Sequence, residues 1–317
     1  MPGRYHRHDA TTGHFFPPAN ASGPTLLPMS TAHSATPRPR QDSILIRGCS
    51  LVCRELGDGA PIIFIHGTLA GMDTFRRQLL WFGQRARAIA YSRRFHPPSG
   101  PHEPAGPYTL DDHATDLIAF VRALHLSRPH LIGSSYGAYV AIRACLIESA
   151  LASSLVAAEP PMLRLLELIP EGRAALGVFR ESGLDPAREA FSRGNDDAGV
   201  EHFFDGIRGE GGAFGRLSNL QRADLFRFGP ELRRELASDF DLYMPLISLE
   251  EMKTLTVPTL LLSGQKSPRL FHIITDMVHA AIPGSEMRTI PSADHSIHTS
   301  APAAYSEAVW EFISARV

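Results

Sequence analysis

The segment Gly133-Ser134-Ser135-Tyr136-Gly137 holds a hydroxyl between two glycines. The apolar pair Leu131-Ile132 precedes it, and the small-residue helical pattern Ala138, Val140, Ala141, Ala144 follows. A strand turning sharply into a helix strains its central residue, and the flanking positions must then be nearly without side chains. Ser135 therefore stands at the amino end of a helix, where developing negative charge is favoured. A serine hydroxyl is a weak nucleophile until an imidazole takes its proton. Acyl chemistry at Ser135 would further require a carboxylate to steady the imidazolium and donors for the oxyanion of the tetrahedral intermediate.

The elements that must position these groups alternate along the chain. Segments 43–46 and 51–56 read as a hairpin with Gly48 at the turn, and 61–65 is a continuous apolar run, as in a strand buried on both faces. A helix over 72–82, a strand over 86–91 and a helix over 110–124 follow; Thr109-Leu110-Asp111-Asp112 resembles a capping box. Strands are predicted at 130–134, 153–158, 258–264 and 285–290, with helices at 270–281 and 303–315. Between 162 and 252 the strand pattern stops, and helices are expected over 163–179, 185–193, 200–207 and 222–239. The fold class is α/β: a mostly parallel, doubly wound sheet at 42–161 and 253–317, with a helical cap at 162–252 inserted after the sixth strand. Residues 1–41 are rich in Pro, His, Ser and Thr without apolar periodicity, and are expected to be a disordered extension. His6, His8 and His14 fall in that stretch, where no fold positions them for a metal.

The order of motifs resembles the α/β-hydrolase superfamily. The matching residues are His66-Gly67-Thr68 after the third strand, the Ser135 turn after the fifth, and Ser292-Ala293-Asp294-His295 before the last helix. The resemblance implies that His295 is the base, with His298 the competing imidazole. It implies that the main-chain amides of Thr68 and Tyr136 form the oxyanion hole. Many relatives carry an Asp in the loop that here reads Gly264-Gln265-Lys266-Ser267-Pro268, which has no carboxylate. Glu159, at the end of the preceding strand, is the expected acid, as in zearalenone-type lactone hydrolases; Asp276 and Asp294 are the alternatives. His66, Arg93 and Arg94 are candidate substrate-binding residues, although the arginines could equally tie neighbouring loops to acids such as Glu159.

Phenylalanines 179, 191, 203, 204, 214, 226 and 228 lie in the cap segment, and any that face the sheet would give the site an apolar roof. The function expected is cofactor-independent serine hydrolysis of a hydrophobic carboxylic ester or lactone through an acyl-enzyme. The alternatives are carbon–carbon bond or thioester hydrolysis or acyl transfer by the same triad, and a ligand-sensing receptor on the same scaffold. A chain of 317 residues with 44% hydrophobic and 20% charged residues can bury a large core, and a net charge of -2 argues against a nucleic-acid partner. Three cysteines are too few for a disulfide framework and show no zinc spacing. No metal, no membrane association, a cytoplasmic location and a monomer or homodimer complete the expectations.

Overall fold

A computed structural model of the chain describes residues 38–100 and 106–316. The predicted extension, and with it His6, His8 and His14, lies outside the described residues as far as residue 37. The first strand starts at Arg40, just inside the stretch assigned to that extension.

Eight strands form one sheet: β1 (Arg40–Ile46), β2 (Cys49–Leu56), β3 (Pro61–Ile65), β4 (Arg87–Tyr91), β5 (His130–Ser134), β6 (Ser154–Ala158), β7 (Thr259–Gly264) and β8 (Glu286–Ile290). Their order is β1-β2-β4-β3-β5-β6-β7-β8. β2 pairs antiparallel with β1 and with β4, and every other pairing is parallel. The two-residue period of a strand sends alternate side chains to opposite faces. Ile63, Ile65, Leu131, Leu155 and Leu261 enter one core cluster, whereas Ile62, Phe64, Ile132, Val156 and Leu260 enter the other. Each such fully buried aliphatic contributes about 1.5–3 kcal/mol, which anchors the central strands on both sides. The carboxyl ends of β3, β5, β6 and β7 are therefore rigid mounts for whatever follows them.

Between β6 and β7 the described residues are helical, but more finely divided than the sequence pattern suggests. The helix expected over 163–179 is two helices, Leu163–Leu166 and Pro170–Phe179. Pro170 has no N–H and disfavours a helical residue before it, so it starts a helix rather than continuing one. The helix expected over 222–239 divides into Asn219–Phe226 and Gly229–Ala237, with Pro230 in the first turn of the second. Phe191 and Phe214 are buried within this insert. Among the described residues no helix is long and apolar enough to cross a membrane. All three cysteines are free and buried.

Candidate active site

Ser135 follows β5 directly and precedes the helix Tyr136–Ile147, with φ 52° and ψ -126°. An L residue with positive φ is strained, and such strain persists only where surrounding contacts over-determine it. Here the Ser135 N–H donates to the Ala158 carbonyl on β6 at 2.8 Å. A Cβ on Gly137 would lie 2.1 Å from the Ile65 carbonyl oxygen, so only glycine lets the helix enter beside β3. A Cβ on Gly67 would meet the Ser135 Cβ at 2.9 Å, which places the loop after β3 against the nucleophile candidate.

His295 Nε2 lies 3.0 Å from Ser135 Oγ, and Nδ1 lies 2.7 Å from Oε2 of Glu159. The imidazole stacks on Phe271, with ring centroids 3.7 Å apart. Glu159 directly follows β6, has φ 45°, and is fully buried. Its Oε1 accepts from the Gly264 N–H at 2.7 Å and the Ser263 hydroxyl at 3.1 Å, and its Oε2 accepts from the Ser267 hydroxyl at 2.9 Å. The loop without a carboxylate thus supplies donors to a carboxylate one strand away. Asp276 is exposed on the helix Arg269–Ala281. Asp294 turns instead to an ion pair with Arg208 of the insert and to the Ser296 N–H.

His298 is placed differently. Its Nε2 meets the Thr74 hydroxyl at 2.8 Å and its Nδ1 faces the Ser134 hydroxyl at 3.3 Å, and burial lowers its pKa to about 3. It is a neutral ring bound to other partners, not to Ser135.

Three residues expected to bind substrate are structural instead. The His66 Nε2 accepts from the Arg93 N–H at 2.9 Å, so the ring proton sits on Nδ1, which donates to the Gly67 carbonyl at 2.9 Å. Burial keeps this ring well below the usual histidine range, and so neutral. Arg93 is only 1% exposed; its Nε donates to the His66 carbonyl at 2.9 Å and its Nη2 to the Gly67 carbonyl at 3.0 Å. Arg94 forks onto Asp116 at 2.6 and 2.7 Å, not onto Glu159. None of the three lines the cavity at Ser135. The polar atoms of His66 and Arg93 are buried, and buried donors must find acceptors within the fold before any ligand arrives.

Arg93 nevertheless bears on the site. The Gly67 carbonyl and the Thr68 N–H belong to one planar peptide unit and point in opposite directions. Holding that carbonyl from below leaves the amide directed away from Arg93. Among the described residues the main-chain N–H groups of Thr68 and Tyr136 have no hydrogen-bond partner.

Above Ser135 lies a cavity of about 400 Å³, floored by Ser135 and His295 and roofed by residues of the insert. Phe179, Phe203, Phe204, Phe228 and Phe240 line it, while Phe191, Phe214 and Phe226 do not. Five of the eight phenylalanines of the insert therefore face the site.

The sequence model of the alpha/beta hydrolase family matches residues 62–308. The chain belongs to this family. As an alpha/beta hydrolase it is 28% identical over 219 residues to a non-heme chloroperoxidase of Burkholderia pyrrocinia, covering 66% of this chain and 74% of that one. It is 25% identical over 279 residues to the 2-(acetamidomethylene)succinate hydrolase of Mesorhizobium japonicum, covering 84% and 92%. Carboxylesterase CesB of Bacillus subtilis shares the fold, with a TM-score of 0.68 at 18% identity over 88% of this hydrolase and 93% of the esterase. One further feature of the site had no local sequence signal. Glu235, on the insert helix Gly229–Ala237, is fully buried and accepts from the Thr68 hydroxyl at 2.8 Å.

Proposed function

We propose that this hydrolase cleaves a hydrophobic carboxylic ester or lactone through an acyl-enzyme on Ser135, without a cofactor. The observation that carries the reading is the unbroken chain from Ser135 Oγ through His295 to Glu159, at 3.0 and 2.7 Å. In this mechanism His295 donates Nδ1–H to Glu159 and accepts the Ser135 proton at Nε2 as Oγ attacks the substrate carbonyl. The oxyanion lies between the amides of Thr68 and Tyr136. Loss of one such donor typically costs about 10²–10³ in turnover. Collapse of the intermediate breaks the carbonyl carbon–oxygen bond, and His295 returns the proton to the departing alkoxide. A water then attacks the acyl carbon, with His295 again the base, releasing the acid and restoring Ser135. The insert serves as a cap, and its phenylalanines favour an apolar acyl or alcohol part.

A fluorophosphonate probe should label Ser135 and fail to label S135A; an unlabelled wild-type protein would refute the nucleophile. A panel of p-nitrophenyl esters and aliphatic lactones should show turnover that rises with acyl chain length over the short and medium range. Labelling without turnover of any ester or lactone would redirect the same triad to another acyl chemistry.

A further inference from the structure

Both residues proposed as oxyanion donors carry side chains tied to the insert. The Thr68 hydroxyl donates to Oε2 of Glu235 at 2.8 Å. The Tyr136 hydroxyl donates to the Tyr243 carbonyl at 2.9 Å, and these two rings stack with centroids 5.1 Å apart. The Tyr243 hydroxyl donates to the same Oε2 of Glu235, at 3.2 Å, which links all four residues in one chain. Glu235, Tyr136 and Tyr243 are buried. We propose that Glu235 and Tyr243 are positioning residues that let the insert set the geometry of the two oxyanion donors. The inference rests on the acyl-enzyme reading above.

Several observations separate this bridge from ordinary packing. A threonine has a stiff χ1, and commitment of its hydroxyl proton to Glu235 turns that proton away from the reacting carbonyl. Thr68 is then held from two sides: Arg93 and His66 grip the Gly67 carbonyl from the core, and Glu235 grips the side chain from the insert. Neither grip alone fixes both ends of the loop. Oε1 of Glu235 has no hydrogen-bond partner and lies 3.4 Å from His96 Nε2. The His96 ring is kept neutral by burial, and its Nδ1 meets the Ala70 carbonyl at 3.0 Å, so Nε2 is an acceptor, and the Tyr108 hydroxyl meets it at 3.0 Å. Oε2 alone therefore accepts from both hydroxyls. The group needed at residue 235 is thus an acceptor held in place, and a glutamine satisfies that requirement.

The test uses the full chain, the p-nitrophenyl ester that the wild type hydrolyses fastest, and two inhibitors. One is an alkyl trifluoromethyl ketone, which adds to Ser135 and creates a tetrahedral oxyanion; the other is the corresponding carbinol, which cannot. E235A should lower kcat by about 10- to 100-fold with KM within about threefold, since small misplacements of reacting groups cost this much. It should weaken the ketone in the same proportion and leave the carbinol unchanged. E235Q should recover most of the loss. Y243F, which removes one hydroxyl, should show the same ketone-to-carbinol pattern at smaller size, and it decides the matter if E235A does not fold. Ketone and carbinol weakening together, or kcat and ketone affinity within about twofold of wild type in both E235A and Y243F, would overturn the bridge alone. A wild type unreactive at Ser135 and inert to esters would overturn the acyl-enzyme reading and the bridge with it.

Discussion

Glu159 and Glu235 are both fully buried, and both lie within one residue of the proposed chemistry, yet the fold treats them differently. Glu159 meets donors on both oxygens: two hydroxyls, one main-chain amide and the His295 ring. Glu235 receives two hydroxyls on one oxygen and nothing on the other. A carboxylate ringed by donors is prepared to face a cation, and a buried one left half unpaired favours keeping its proton. Burial does push the Glu235 carboxyl above its ordinary range. The core-borne acid is thus built to carry charge, and the insert-borne acid to hold position. The ends of strands in a doubly packed sheet can be surrounded by main-chain donors; a helix laid over them cannot.

The contrast is broken most directly at Glu159. E159Q keeps shape and removes charge, and it should lower kcat by about 10⁴, the loss seen when the orienting acid of a serine protease is neutralised. Stopped-flow or steady-state ester hydrolysis would read it. A loss no larger than that of E235Q would erase the distinction between the two acids.

R93K is the next largest. Lysine retains the charge but cannot fork, so the His66 and Gly67 carbonyls lose at least one of the donors they share. We expect kcat to fall by about tenfold or more, with a lower Tm, because buried carbonyls are left short of partners. Retention of full activity would show that the Gly67 peptide is fixed without this grip. S267A makes Glu159 resemble Glu235 by removing one donor. The loss of about 1.5 kcal/mol for a hydrogen bond to a carboxylate corresponds to about a tenfold fall in kcat, with KM little changed. A fall as large as that of E159Q would mean that Ser267 also shapes the loop.

The same division governs what was legible in the sequence. The alternating runs that fill β3, β5, β6 and β7 carry their own period, and Gly133-x-Ser135-x-Gly137 announces a turn that only small flanking residues permit. The absence of an acid in 264–268 pointed to Glu159, and Ser267 in that loop and Ser263 just before it proved to be its donors. His66 was assigned to substrate, and Arg93 left open between substrate and structure, because a polar side chain beside a strand end looks the same in sequence whether it faces a ligand or a carbonyl. Glu235 had no signal at all. Its partner Thr68 lies 167 positions away, on an element of a different layer, and no local pattern encodes that meeting. Pro170 and Gly229-Pro230, in contrast, were visible breaks that the helical pattern overrode.

The smallest effect is also the one that tests the electrostatics of the insert separately from catalysis. Glu231 lies one turn before Glu235 on the same helix, half-buried, and its Oε2 has no partner. Burial pushes its carboxyl up to about 7. A folded-state value above the unfolded one means that the fold favours the neutral form. The associated stability is complete below the ordinary range near 4.5 and is lost as pH rises through about 7. E231Q abolishes this titration. Its Tm should match that of the wild type at a pH near 4.5 and exceed it by about 2 °C near 8.5. Differential scanning fluorimetry at the two pH values measures the gap, and each variant serves as its own control for every other titrating group. A gap that is equal at both pH values, or reversed, would show that Glu231 ionises as it does in water. The insert would then lack the general preference for neutral carboxyl groups that sets Glu235 apart from Glu159.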